Sequence, residues 1–477
     1  MHTRPPLSAM ARQIQPSAEQ HCRFPLMEAI HAPLSDQAAL AESQRCLYCY
    51  DAPCIHACPT GIDVPTFIKK IATGEVASAA KTILTANILG ASCARVCPTE
   101  VLCEGACVLG HDHEPIPIGL LQRHATDFVT AHGISVLKRP TEKSGFRVAI
   151  IGGGPAGLGC AAELAQLGHH AVIFEKESNA GGLNTRGVAY YKMKPRVSLD
   201  EVRLVESLGV EIQTGVNVGE DLTGEELLSE YDAVFVAIGL GSESHLGIPS
   251  EYGPGVRSAL DFIRDIHEMP LEEVEIGKSV LVIGGGNTAI DAVSQAKRLG
   301  APSATLAYRR KEVDMSAYTF EVALARAAEC RMVFEAKPVE VVRDVEGNLA
   351  GVKFIHSSSG KEWIEPCDQL LLAIGQPKQD SLLKKLFPAL EIDARGCVTT
   401  DPLTSRTSLP KIFSGGDCAN GGKEVVNAVG EGKKAAMEIH RMLTGKPATP
   451  TKQSSRQGIT RPPSGAGLWN PIRPPNH

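Results

Sequence analysis

The chain has 477 residues, 48 of them basic and 54 acidic, which leaves a net charge of −6. At roughly 150 residues per domain that length accommodates about three domains. There is no basic excess to attract nucleic acid, and aromatic residues at 5% are too sparse for a base-stacking surface, so no nucleic-acid partner is expected.

The N-terminal stretch MHTRPPLSAMARQIQ lacks the apolar segment of a secretory leader, and no run of about 20 apolar residues lacks glycines and charges. The expectation is a cytoplasmic protein without a membrane span. Of the 14 cysteines, eight cluster early in the chain. They are Cys46, Cys49, Cys54 and Cys58, followed by Pro59, and then Cys93, Cys97, Cys103 and Cys107, with Pro98 after Cys97. In a reducing compartment clustered cysteines are metal ligands more often than disulfides. Two structural zinc sites are the plain alternative. Zinc ribbons, however, pair cysteines in two short C-x-x-C arms, and here only Cys46 and Cys49 form one. Uneven spacing with Cys-Pro matches a two-cluster ferredoxin run, in which the cysteine before proline ligates the other cluster. Around these cysteines, residues 65–87 and 118–133 carry apolar residues at helical spacing, so residues 1–145 read as a helical domain.

From Phe146 the pattern changes to strand, glycine turn and helix. Gly152, Gly154 and Gly157 form G-x-G-x-x-G in RVAIIGGGPAGLGCAAELAQLG. The first glycine permits the turn, the second lets backbone approach a pyrophosphate, and the third lets helix and strand pack closely. Glu175 ends the next strand, where a carboxylate accepts hydrogen bonds from a ribose. A second copy from Ser279 carries Gly284, Gly285, Gly286, Asn287, Thr288 and Ala289, so the chain is expected to bind two dinucleotides. Its equivalent strand end reads Tyr308-Arg309-Arg310, with no acid. Cations there suit a 2′-phosphate, which favours NADPH over NADH; a solvated arginine face is the other reading. Further buried-strand runs at 171–176, 232–239, 304–310 and 368–375 alternate with helical segments, the pattern of α/β parallel sheets. Near the C-terminus a strand delivers Gly415, Gly416 and Asp417 into a glycine-rich turn and a helix, a place for a carboxylate to bind a flavin's polyol. Residues 447–477, rich in Pro, Ser and Thr, read as a disordered tail.

These motifs together resemble the two-dinucleotide-binding-domain flavoprotein family, in which an FAD domain is interrupted by an NAD(P) domain. The resemblance rests on GGGPAG (152–157, with Pro155 and Ala156), Glu175, GGL (Gly182 and Leu183 its last two residues), AIG at 237–239, GGGNTA (284–289), AIG at Ala373, Ile374 and Gly375, and GGD (415–417). It implies an FAD domain at 146–256 and 377–446, with an NAD(P) domain at 257–376 inserted. The paired-cysteine motif of the family's disulfide reductases is missing. RCLYCYDAPCIHACPTGIDVPTFIKKI (45–71), ASCARVCPTEVLCEGACVLG (91–110) and EPIPIGLLQRHATDF (114–128) resemble the N-terminal cluster domain of dihydropyrimidine dehydrogenases. Related domains occur in glutamate synthase small subunits and in ferredoxin:NADP oxidoreductases.

That resemblance implies two 4Fe–4S clusters. Cys46, Cys49, Cys54 and Cys107 would hold one; Cys58, Cys97, Cys103 and Gln122 would hold the other. On residue chemistry alone Cys93 would be the fourth ligand, thiolate being far commoner than amide. The family's flavin-side arginine after GGL falls at Lys192, and a later phosphate-binding arginine falls near Ser316. The function implied is electron input: hydride from NADPH or NADH to FAD, then single electrons through the clusters. The acceptor would be a separate FMN- and cluster-bearing subunit that reduces uracil or thymine, in a heterotetramer. The alternatives are a glutamate synthase small subunit or related NAD(P)H:ferredoxin-type oxidoreductase and, from another class, a zinc-stabilised binding or assembly protein. No catalytic acid or base is nominated.

Overall fold

The computed structural model describes residues 25–447 except residue 243, and the expected tail beyond 447 lies outside the described residues. The N-terminal part is helical, with helices Asp36–Gln44, Val64–Ala72, Val76–Ala86, Gly90–Val96 and Ile118–Ala131. The apolar stretch 65–87 is therefore two helices. Gly74 separates them with a φ of +81°, a conformation that ends a helix and that a side chain would strain. The first is started by Asp63, whose carboxylate accepts the Thr66 N–H at 3.2 Å. Phe67, Ile68, Ile83, Leu121 and Ala125 are buried together from three of these helices.

Among the described residues thirteen strands follow. The first α/β domain begins with β1 (Arg147–Ile151), β2 (His170–Glu175), β3 (Glu211–Thr214) and β4 (Ala233–Val236). The second comprises β5 (Val256–Ser258), β6 (Ser279–Gly284), β7 (Ser303–Ala307), β8 (Arg331–Val333), β9 (Ala336–Arg343), β10 (Leu349–His356), β11 (Glu362–Pro366) and β12 (Gln369–Ala373). The chain then returns, and β13 (Ile412–Ser414) completes the first sheet. Strand order is β13-β4-β1-β2-β3 in one sheet and β5-β12-β6-β7-β8 in the other, both parallel. Both sheets have the glycine-turn strand in the centre, but the outer strand differs, since β13 comes last in its sheet and β5 comes first in its own; the second sheet is inserted between β4 and β13.

The boundary expected between 256 and 257 falls one residue inside β5, all of which pairs with β12. An antiparallel sheet of β9, β10 and β11, not anticipated from sequence, packs beside the second domain. Its outer strand β11 alternates exposed and half-buried residues, so it lacks the continuous apolar run that marks a parallel strand.

The helical domain shares one hydrophobic core with the first α/β domain, from Phe67 and Ile83 through Leu158 and Ile150 to Val429. Helix Pro155–Gln166 lies so close to helix Val425–Thr444 that a Cβ on Gly432 would sit 2.1 Å from the Ala156 carbonyl oxygen. Two residues earlier, on the other side of the same helix, a Cβ on Gly430 would meet the Pro59 carbonyl at 2.9 Å. The second domain has cores separate from that shared one, and one of them takes in Met27 of the N-terminal segment and packs against Tyr190. It holds the first domain through the loop after the GGL motif. Gln295 accepts the Tyr190 N–H at 2.9 Å, His267 bonds the Val188 carbonyl at 2.5 Å, and Arg298 stacks over the Tyr191 ring. No helix among the described residues is long and apolar enough to cross a membrane.

Candidate active site and cysteine clusters

A cleft of about 640 Å³ opens at the C-terminal end of β1, where the first glycine turn leads into helix Pro155–Gln166. The three glycines differ as the motif requires. A Cβ on Gly152, whose φ is +101°, would strike the Ala237 carbonyl at 2.4 Å, and one on Gly157 would strike the Gly152 carbonyl at 2.0 Å. At Gly154 a Cβ would meet nothing within 4 Å, so the backbone there is open to a ligand. Gly154, Pro155 and Ala156 line the cleft together with Gly152, Glu175, Gly182, Leu183, Gly416 and Asp417. Gly157 lies beneath, in the packing.

Glu175 is buried, with Oε2 accepting the Gly153 N–H at 2.8 Å and Oε1 the Glu177 N–H at 3.0 Å. It thus braces the glycine turn, and a carboxylate with about four acceptor positions keeps capacity for a ribose. Burial pushes the Asp417 carboxyl up, opposed by the Lys423 N–H and by Lys378. Asn184, one residue past GGL, also lines the cleft; its buried carbonyl oxygen has no partner among the described residues. Such an orphaned acceptor costs free energy unless a donor reaches it. A flavin, with ring N–H and polyol donors and a pyrophosphate for the open turn, fits this donor and acceptor set. Residue patterns alone missed Asn184. Its position directly after the GGL motif is the signal that would have found it.

Lys192 is elsewhere. It does not line the cleft: its Nζ lies 2.6 Å from both Asp291 Oδ1 and Glu321 Oε1, buried between the two α/β domains. The loop that would carry a flavin contact instead plugs into the second domain. The Tyr191 hydroxyl joins the group by donating to Asp291 at 3.1 Å.

At the second turn a Cβ on Gly284 would meet the Ala373 carbonyl at 2.3 Å, and one on Gly285 the Tyr308 ring at 2.3 Å. Gly286 is the N-cap of helix Asn287–Arg298, and Thr288 lies in its first turn. Asn287 Oδ1 accepts the Tyr318 N–H at 3.0 Å. Arg309 and Arg310 are exposed, and neither guanidinium has an ion pair among the described residues, whereas Ser316 bonds back to the Gly285 carbonyl at 3.4 Å. Ala373, Ile374 and Gly375 are not among the residues lining the cleft, but their neighbours Leu372 and Gln376 are, so the cleft reaches the second sheet. Tyr318 bridges the two sites: its hydroxyl donates to Glu424 Oε1 at 2.7 Å, and Glu424 lines the cleft. Burial and Glu424 push that phenol up to about 12, so it stays a donor.

Cys46, Cys49, Cys54 and Cys107 line one small pocket with Ile68 and Val108. Burial pushes Cys54 up to about 12, with Cys46, Cys107 and Cys49 adding to it. In the second group the hydrogen bond to Cys93, then burial, holds Cys97 well above the ordinary thiol range, with Cys58 and Cys103 as neighbours. Gln122 is buried, its amide nitrogen donating to the Gly90 carbonyl at 2.7 Å, which leaves its carbonyl oxygen as a donor atom for metal. Glu104, next to Cys103, accepts the Gly119 N–H at 2.8 Å and so ties that loop to the helix bearing Gln122. Among the described residues no three His, Cys, Asp or Glu side chains converge as a single-ion site would require. The first four thiols surround a space, and their mutual raising of pKa is what deprotonation by a bound cluster relieves. The residues fit iron–sulfur clusters.

Residues 23–134 match the family described as dihydropyrimidine dehydrogenase domain II, 4Fe–4S cluster, and residues 146–432 match pyridine nucleotide-disulphide oxidoreductases. The chain is 37% identical over 407 residues to the NAD-dependent dihydropyrimidine dehydrogenase subunit PreT of Escherichia coli K12, covering 85% of this chain and 95% of that one. It is 33% identical over 443 residues to the glutamate synthase [NADPH] small chain of the same organism, covering 87% and 93%. Among solved structures, thioredoxin reductase from T. acidophilum matches with a TM-score of 0.52 at 23% identity, over 62% of this chain and 98% of that one, a likeness of fold. The chain therefore belongs to the pyridine nucleotide-disulphide oxidoreductase family, in the branch that carries an N-terminal 4Fe–4S domain, and is an NAD(P)H-dependent flavin oxidoreductase.

Proposed function

We propose that this chain is the electron-input subunit of a dihydropyrimidine dehydrogenase. It takes a hydride from NAD(P)H and sends single electrons through two 4Fe–4S clusters to an FMN-containing partner, which reduces uracil or thymine to the 5,6-dihydro form. The observation that carries this reading is Gln122, a buried amide whose nitrogen is fixed on Gly90 of the helix that Cys97 caps, which leaves its oxygen as the end that the resemblance assigns to the second cluster with Cys58, Cys97 and Cys103. Cys46, Cys49, Cys54 and Cys107 hold the first cluster.

FAD, when bound, accepts a hydride and releases electrons one at a time, which the clusters require. The chain's own residues position and exclude. The open backbone at Gly154 takes the pyrophosphate, Glu175 the ribose and Asp417 the polyol. Gly284, Gly286 and the helix beginning at Asn287 take the nicotinamide nucleotide, while Tyr318 holds that turn against Glu424 at the flavin cleft. No side-chain acid or base is needed for hydride transfer. Arg309 and Arg310, exposed and unpaired among the described residues, support a 2′-phosphate and hence NADPH. Arg309→Glu should then weaken NADPH more than NADH in kcat/KM, and equal effects would overturn that preference.

Purified alone, the chain should bleach its flavin with NAD(P)H and reduce dyes, yet leave uracil, thymine and dihydrouracil untouched until an FMN-bearing partner is added. Pyrimidine reduction by the isolated chain would overturn the two-subunit reading. The match to 93% of a glutamate synthase small chain favours the second reading; turnover of glutamine and 2-oxoglutarate with a large subunit, but never of pyrimidines, would select it. Cys93→Ser should leave iron at about eight per chain, two clusters of four, whereas Gln122→Ala should lower it or shift one cluster's potential. The reverse outcome would make Cys93 the ligand.

A further inference from the structure

Glu201, on helix Pro195–Ser207, is 3% exposed and takes no part in the chemistry above. Its Oε1 accepts the N–H groups of Ala91 at 2.8 Å and Ser92 at 2.9 Å, and its Oε2 is bonded to the Ser92 hydroxyl. Ser92 Oγ in turn accepts from Asn184 Nδ2 at 2.8 Å. Asn184 is the side chain in the cleft wall whose buried oxygen has no partner among the described residues. A continuous hydrogen-bonded chain thus runs from an unsatisfied acceptor at the cleft to a buried carboxyl. Helix Gly90–Val96, which that carboxyl grips, also supplies the carbonyl that holds Gln122, and Cys97 is its C-cap.

Charge balance favours a group of this kind, because a hydride delivered into a buried cleft adds one negative charge there and a nearby carboxylate that binds a proton offsets it. Reduction adds that charge beside Asn184. On the reading that the cleft holds a flavin, we propose that Glu201 is a proton-binding residue coupled to the redox state of the cleft. It is a carboxylate while the cleft is oxidised, takes up a proton from solvent when the hydride's charge arrives, and returns that proton to solvent on reoxidation.

Burial holds the Glu201 carboxyl up to about 7, against the lowering effect of the Ser92 hydroxyl and the two backbone N–H groups. A modest change in local charge therefore moves it across neutral pH. The other charges on the elements packed around it are compensated. Arg95, on helix Gly90–Val96, favours the carboxylate but is itself paired with Asp127 at 2.6 Å. Arg186, on the short helix Leu183–Arg186, pairs with Glu177 at 3.2 Å, and Glu163, on helix Pro155–Gln166, pairs with Lys433 at 3.7 Å.

The test is the flavin midpoint potential of the full chain, measured by spectroelectrochemistry from about pH 5.5 to 8.5 in the wild type, Glu201→Gln and Glu201→Asp. Below pH 7 the wild-type group is already neutral, so the Gln curve should coincide with it. Above pH 7 the wild-type carboxylate opposes the added negative charge, so the Gln potential should lie higher. A tenfold difference in proton affinity between oxidised and reduced states separates the curves by about 30 mV for a two-electron couple. Glu201→Asp, which keeps a titrating group, should restore the bend. Should Glu201→Gln not fold, Ser92→Ala cuts the chain between Asn184 and the carboxyl and should weaken the bend. A merely structural grip on the helix predicts curves that are parallel at all pH, and parallel curves overturn the proposal. A chain that purifies without flavin overturns instead the reading on which it rests.

Discussion

Helix Val425–Thr444 and the loop Val188–Lys192 are two places where the first α/β domain meets its neighbours, and they are built differently. Along the helix the cluster domain and the FAD domain share one apolar core, with backbone against backbone at Gly430 and Gly432. At the loop the NAD(P) domain keeps separate cores and is held by a buried cation, two carboxylates, a histidine and a phenol. An apolar core is non-directional and closes at any pH. A polar dock is geometric and titratable, and a broken member leaves a charge stranded. The cysteine-bearing helical domain is therefore fixed to the cleft as one unit, whereas the second α/β domain is attached at this loop by a few specific groups.

The most disruptive way to test that contrast is Lys192→Met. It leaves Asp291 and Glu321 buried together without their cation, and removing one member of a buried pair costs about 3–5 kcal/mol. The loss should appear as protease cleavage in the linkers around 237–255 and 376–379 while flavin and iron stay bound. Joint loss of flavin and iron would show that the dock is part of the common core. Gly432→Ala strikes the other side. Its Cβ would lie 2.1 Å from a backbone oxygen, so helix Val425–Thr444 must shift, at about 1–3 kcal/mol. Here flavin and iron content should fall together, with the NAD(P) domain no more protease-sensitive than before.

Acid provides a milder separation. Burial holds His267 down to about 4, against the Val188 carbonyl bond that raises it. The unfolded group titrates near 6.5, so below that pH the unfolded chain binds a proton that the docked form refuses. Docking stability is thus complete above about pH 6.5 and lost as pH falls toward 4, by about 3 kcal/mol. In His267→Gln the linker-cleavage rate should lose this pH dependence. His169, held down to about 4 by burial and by His440, lies in the FAD domain, so its acid loss should appear in the global melting transition instead.

Sequence legibility follows the same division. The glycine turns could be read because their spacing is imposed by close backbone approach, and Gly152, Gly154 and Gly157 do in space what the motif implies. The cysteine clusters stood out by their spacing, and the structure brings Cys46, Cys49, Cys54 and Cys107 around one pocket. Lys192 could not be placed, since its partners are supplied by the inserted domain and nothing local marks Asp291 or Glu321 as buried. Glu201 sits in PRVSLDEVRLVES, whose acids and arginines read as a solvated helix face; Arg196, Arg203 and Glu206 are exposed, and Glu201 alone of the charged residues is buried against the helical domain. The antiparallel strands β9–β11 escaped because half-exposed strands alternate, and attention to continuous apolar runs finds only parallel ones. The break at Gly74 was marked by glycine itself, but apolar spacing continues across it.

The smallest expected effect belongs to Tyr318, the NAD(P)-domain residue that touches the flavin cleft through Glu424. Tyr318→Phe keeps the ring stacked on Phe320 and removes only the hydroxyl, at about 1 kcal/mol for a part-exposed hydrogen bond to a carboxylate. Because burial and Glu424 hold the phenol up to about 12, the wild-type bond persists across the working range, and the cost should be the same from pH 6 to 10. In stopped flow, hydride transfer from NAD(P)H to flavin should slow by up to about tenfold, since 1.4 kcal/mol is a factor of ten. Electron transfer from flavin to an added dye should be unchanged, because the cluster side is held by the core and not by this bond. Equal slowing of both steps would mean that Tyr318 braces the flavin cleft as a whole, and the separation between the fixed and the docked side would fail at the point where the two domains meet.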